Sequence, residues 1–181
     1  MSLFRVVRSA ACILMIAAVT LISATSAEAG TTTGDREALV AAKEYLSTQA
    51  FSLKGLIAQL DSPYGGQFTV AQATYGAEHT GANWDKEALV AAKEYLRTQA
   101  FSLKGLIAQL DSPDGGQFTV AQATYGTVRT GANWDREAVL AAKEYLSTQA
   151  FSLSGLIAQL DSPYGGQFTV AQATYGANKA Y

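Results

Sequence analysis

DREALVAAKEYLSTQAFSLKGLIAQLDSPYGGQFTVAQATYG, residues 35–76, returns with few changes at 85–126 and again at 135–176. Phe51, Phe101 and Phe151 are equivalent positions at a constant spacing of 50 residues. Such self-similarity decides the architecture before any local motif is read: one small module, used three times and joined by short linkers. It also restricts the chemistry. A function carried by the module must be built from side chains that the module contains.

Within a copy, Leu39, Ala42, Tyr45, Leu46 and Ala50 recur at helical spacing, while Lys43, Glu44 and Ser47 fill much of the opposite face. Asp35 is placed to cap this helix, with Glu37 near the positive end of its dipole. In the later copies a tryptophan precedes the aspartate, and Trp84 stands to Leu89, and Trp134 to Val139, as the outer residue of a hydrophobic staple stands to its partner. Ser52 is expected to cap a second helix whose apolar stripe is Leu53, Leu56, Ile57 and Leu60, with Phe51 stapled to Leu56. Asp61-Ser62-Pro63-Tyr64-Gly65-Gly66 ends it through turn chemistry. Thr69 and Gln72 have the spacing of a capping box for a third, short helix, with Ala73 and Tyr75 facing inward and Gly76 suited to its C-terminal cap. The expected fold is therefore all-α: three tandem small helical repeats, each helix, tight junction, helix, extended glycine loop, short helix.

A unit of this size, without metal or disulfide, lies near the limit of about 40 residues for independent folding, so the copies are expected to support one another. The linkers, such as 77–84, are polar until they reach Trp84 or Trp134, which are candidates for inter-repeat docking. The first copy has Gly34 in that place, as suits a terminal unit.

Residues 1–29 differ in kind: Arg5 and Arg8, an apolar run from Ala10 to Ile22, then Ala27-Glu28-Ala29, the pattern of a secretory signal peptide. The run is interrupted by Thr20 and falls short of the roughly 20 apolar residues of a spanning helix. The single cysteine, Cys12, lies at the start of this run, whereas a lipid-acceptor cysteine would follow it; no lipobox is present, which argues against a lipid anchor. Removing Arg5, Arg8 and Glu28 from 13 basic and 15 acidic residues leaves 11 and 14, a formal charge of −3. A mature chain of that charge has no general attraction for nucleic acid or anionic lipid, and no later segment is long and apolar enough to span a bilayer.

Enzyme chemistry finds no material in the module. It has no histidine or cysteine, and His79 occurs once, in a linker, so neither an imidazole-activated nucleophile nor a histidine-rich metal site can be assembled. Ser52 is explained as a cap, and Asp61, Glu37 and Glu44 as solvated helix faces. Asp111-Ser112-Pro113-Asp114-Gly115 is too poor in oxygen ligands for a calcium loop. The third helix, Thr69–Tyr75, carries no charge, which excludes it as a DNA-reading element. No catalytic, cofactor or metal residue is assigned. Protein binding remains, and the copies differ mostly where solvent is expected. Tyr64 and Tyr164, with Asp114 at the equivalent place, sit on the glycine-rich turn and are candidate partner contacts; a tyrosine folded back over its own core is the alternative.

Lys43-Glu44-Tyr45-Leu46, Phe51-Ser52, Gly55-Leu56, Gln59-Leu60, Ser62, Tyr64-Gly65, Phe68-Thr69, Ala73 and Tyr75, together with the junctions Trp84-Asp85 and Trp134-Asp135, resemble the Ltp family of host cell-surface lipoproteins, whose repeats are helix-turn-helix-like or helix, extended loop, helix. The resemblance covers all three copies. It implies a role outside the membrane in phage superinfection exclusion: a surface-held protein blocks DNA injection through contact with a phage tail component, by resemblance the tape measure protein. Localisation is then secreted or at the extracytoplasmic cell surface. The alternative is an envelope-associated structural or cell-wall-binding repeat protein with no phage role.

Overall fold

A computed structural model of the chain describes residues 31–181; the expected signal peptide, 1–29, and Cys12 lie outside them. The described residues form nine helices and no strand. The first module holds α1 (Thr33–Thr48), α2 (Leu53–Asp61) and α3 (Val70–Glu78); the second α4 (Trp84–Thr98), α5 (Leu103–Asp111) and α6 (Val120–Val128); the third α7 (Trp134–Thr148), α8 (Leu153–Asp161) and α9 (Val170–Ala180). In each module the short third helix packs on both others, most extensively on the first.

Each module closes its own core. Leu56 and Leu60, and their equivalents Leu106, Leu110, Leu156 and Leu160, are fully buried. At about 1.5–3 kcal/mol for each buried leucine, the second helix supplies much of the apolar stabilisation of a module. The opposing surface is made of small residues: Ala38 and Ala42 on α1 face Ala73, Gly76 and Ala77 on α3, all buried. A Cβ on Gly76 would stand 2.6 Å from the carbonyl carbon and oxygen of Ala38, so the two backbones touch. Gly76 thus lies inside α3, and its expected role as a C-terminal cap is replaced by one in helix packing; Ala38, not Leu39, is the core residue at the head of α1.

Two further sequence expectations are corrected at helix starts. Asp35 is not the cap of α1. Thr32 is: its hydroxyl accepts from the Asp35 N–H at 3.1 Å, while the Asp35 carboxylate accepts from the Thr32 N–H at 2.8 Å, completing a capping box and holding the Asp35 carboxyl below its usual value. In the later modules Asn83 and Asn133 are the caps, accepting from the Lys86 and Arg136 N–H groups, each at 3.0 Å. Trp84 and Trp134 therefore stand one place after the cap, not before it, and their rings pack on the core of the preceding module. Ser52, Ser102 and Ser152 cap the second helices, and Thr69, Thr119 and Thr169 form capping boxes with Gln72, Gln122 and Gln172, as their spacing indicates.

Candidate functional site

The turn after α2 doubles back on the helix it ends. Gly66 N–H donates to the Gln59 carbonyl at 3.2 Å and Phe68 N–H to the Leu60 carbonyl at 3.0 Å, so the last carbonyls of α2 are satisfied by the turn itself. Gly65 is required there, since a Cβ would lie 2.1 Å from the Gln59 carbonyl oxygen. Gln67, Gln117 and Gln167 all take left-handed backbone, with φ of 55, 55 and 56°. Such a conformation costs a non-glycine residue roughly 1 kcal/mol or more, and it is imposed here by the flanking hydrogen bonds.

The tip of this turn is presented outward. Tyr64 and Tyr164 are 84 and 85% exposed, and Asp114 is exposed at the same place, so neither tyrosine folds back over its core. Val70, Val120 and Val170, at the start of each third helix, are exposed in all three modules. Each module thus offers a turn tip and a nearby valine in sequence, repeated at equivalent sites along the chain.

A second repeated surface lies where modules meet. Ala50 packs on the core of the second module and Ala100 on that of the third, while Trp84 and Trp134 pack the opposite way. Between the first two modules runs a mostly apolar groove of about 470 Å³, with Leu53, Lys54 and Ile57 on one wall and Pro113, Gln117 and Phe118 on the other. The Glu87 and Glu137 carboxylates lie near the Phe51 and Phe101 N–H groups, which favour their charged forms, and Ala100 N–H donates to Glu144 Oε1 at 3.3 Å. These are the later-copy equivalents of Glu37 and Glu44, for which the sequence predicts a solvated face. Glu137 is instead only 9% exposed, and its Oε2 is buried without a hydrogen-bond partner.

Burial is the largest influence on Glu87, Glu137 and Glu144 and raises the pKa of each above the ordinary 4.5. The folded chain then holds these protons more tightly than the unfolded one. Their contribution to stability is fully present below 4.5 and is lost as pH rises through the folded values. Asp35 acts in the opposite sense, with a contribution lost only as pH falls below about 3.8. The melting temperature is therefore expected to rise on acidification from neutrality to about pH 4.5, and Glu137→Gln should flatten that rise while raising the neutral-pH value. A melting temperature that falls over this interval in the parent protein contradicts the assignment.

No cluster of three His, Cys, Asp or Glu side chains capable of holding a metal occurs among the described residues. His79 stacks on Tyr75 with ring centroids 3.9 Å apart, and its Nδ1 lies 2.8 Å from the Tyr75 carbonyl oxygen, which places it on the helix end. No helix of the described residues is long and apolar enough to cross a membrane.

Comparison with known proteins follows the modules. The family model of the Ltp lipoproteins, described as host cell surface-exposed lipoprotein, matches residues 35–79, 83–127 and 133–179. Among solved structures, that of Ltp, a superinfection exclusion protein from the Streptococcus thermophilus temperate phage TP-J34, is similar at 31% sequence identity and a TM-score of 0.50, over 55% of this chain and 98% of that one. No curated protein gives a significant match.

Proposed function

The chain belongs to the Ltp family of host cell surface-exposed lipoproteins, and from that premise we propose that it acts outside the cytoplasmic membrane as a tandem-repeat binding protein that excludes incoming phage. The observation that carries this reading is the likeness of this chain to nearly the full length of a superinfection exclusion protein. In the proposed mechanism the modules bind a phage tail component, the tape measure protein by family resemblance, and DNA injection stops. The leader with Arg5, Arg8 and the run from Ala10 supports export.

The binding residues proposed are those of the turn tip, Tyr64 and Tyr164, with Asp114 as the variant contact of the middle module. Exposed aromatics on a turn braced by backbone hydrogen bonds offer contact area at low entropic cost. Three modules raise avidity toward a repetitive partner when the spacing lets them engage together. Expression in a sensitive host should lower plating efficiency and block DNA injection without reducing adsorption. The double variant Tyr64→Ala and Tyr164→Ala should fold normally and lose roughly tenfold in tail-component affinity. Unchanged injection across a phage panel, with retention on purified cell wall in the absence of phage, would favour the wall-binding reading instead.

A further inference from the structure

The surface by which one module receives the next occurs three times in the chain and is filled twice. In the first two modules Ser52 and Ser102 are 1 and 2% exposed, Ala50 and Ala100 are part-buried, and Gly55 and Gly105 lie close to the Gly116 and Gly166 carbonyl oxygens of the following module. In the third, Ser152 and Ala150 are exposed, and Gly155 has only its own Ser152 and Phe151 within reach. The residues of this uncovered face are those of the filled ones apart from Ser154 in place of lysine. Tyr181 donates its hydroxyl to the Phe151 carbonyl at 3.2 Å, but remains largely exposed.

The complementary surface is uncovered on the first module. Glu137 is buried and Glu87 part-buried against a preceding module, whereas the equivalent Glu37 is exposed. Phe118 and Phe168 are buried; Phe68 is only part-buried. One chain therefore carries both halves of an interface that it has already formed twice internally, one half on its first module and the other on its third.

We infer that a second copy of this chain docks head to tail, its first module seated on the third module of its neighbour, with Glu37 accepting from the Phe151 N–H. The contact is heterologous and leaves a head and a tail unfilled after each addition, so it generates open-ended chains, not closed dimers. It is weaker than the internal contacts for two reasons. No linker raises the local concentration to the millimolar range, and Gly34 stands where the later modules have a docking tryptophan.

Sedimentation velocity on the purified protein over a concentration series up to about 1 mM tests this. The weight-average mass should climb past that of a dimer without a plateau. Glu37→Lys removes the acceptor on the head, and Gly155→Leu fills the space on the tail; each should weaken association at least tenfold, with the circular dichroism of the parent retained. Mixing the two variants pairs one intact tail with one intact head and should restore a dimer that grows no further. A monomer throughout, a mass that stops at the dimer in the parent protein, or a mixture that fails to associate would each overturn the inference.

Discussion

Replacing Gly126 by alanine should destabilise the middle module by about 2 kcal/mol, and by valine about 3 kcal/mol or more, read as a loss of unfolding free energy in urea. Gly126 lies within α6, where helix propensity alone predicts a gain of about 1 kcal/mol for alanine. The packing predicts the reverse. A Cβ there would stand 2.5 Å from the carbonyl carbon and oxygen of Ala88 and 2.8 Å from the Leu89 nitrogen, all backbone atoms of α4 that no rotamer change can move. Overpacking of this kind costs about 1–3 kcal/mol and must be met by separating α6 from α4, which also loosens Ala123 against Ala92. Valine adds bulk and forfeits the propensity gain. Gly131 is the contrast: its φ is +72° but nothing lies within 4 Å of a Cβ, so Gly131→Ala should cost only the left-handed backbone penalty of about 1 kcal/mol. Stabilisation by Gly126→Ala would mean that α4 and α6 are not in backbone contact.

The same glycine shows where the sequence was legible and where it was not. Periodicity located all three helices of the module, because the stripe Leu53, Leu56, Ile57, Leu60 and the turn that follows are signalled by residue types with strong local preferences. Gly76 in isolation carries two meanings, helix end or close approach, and only the presence of Ala38 across from it decides between them. That is a tertiary fact. The caps of each module's first helix were misplaced for a related reason: Thr32, Asp35, Asn83 and Asp85 are all competent at a helix start, and the choice between residues a few places apart depends on which backbone dihedrals the preceding chain permits. Glu87 and Glu137 were hidden most thoroughly. In a single module they sit on the polar face of the first helix, as Glu37 does, and nothing in the module's own pattern reveals that another module covers them. The turn itself was legible, since a proline and two glycines flank Tyr64 and Tyr164, but whether these rings point outward or fold back over the core is decided only by the structure, where both are exposed.

Interfaces that local pattern cannot show are probed best by the residue that crosses them, and Trp134→Ala is expected to cost about 2.5 kcal/mol and to divide the unfolding of the chain. Trp134 belongs by sequence to α7 of the third module, yet its indole packs on the core of the second. A half-buried tryptophan withdraws roughly 100 Å² from water, which at about 25 cal/mol/Å² gives the figure above. The consequence for cooperativity exceeds the energy itself. Each module has little stability of its own, so the coupling between neighbours determines whether the array melts as one unit or as separate parts. With the indole removed, the interface between the second and third modules retains Ala100 on the third core, the Phe101 N–H near the Glu137 carboxylate and the hydrogen bond from Ala100 to Glu144. The carboxylates at two of those three contacts are partly buried, and the cost of burying their charge outweighs what the N–H groups return, so the interface weakens as pH rises and they ionise. Calorimetry of Trp134→Ala at neutral pH should therefore resolve two transitions where the parent shows one, and the two should merge again near pH 4.5. Hydrogen exchange would locate the division: amides of α7 to α9 should lose protection together, ahead of those of α1 to α3, which keep Trp84 on their own core. A single transition of unchanged midpoint at neutral pH would show that the ring does not couple the modules.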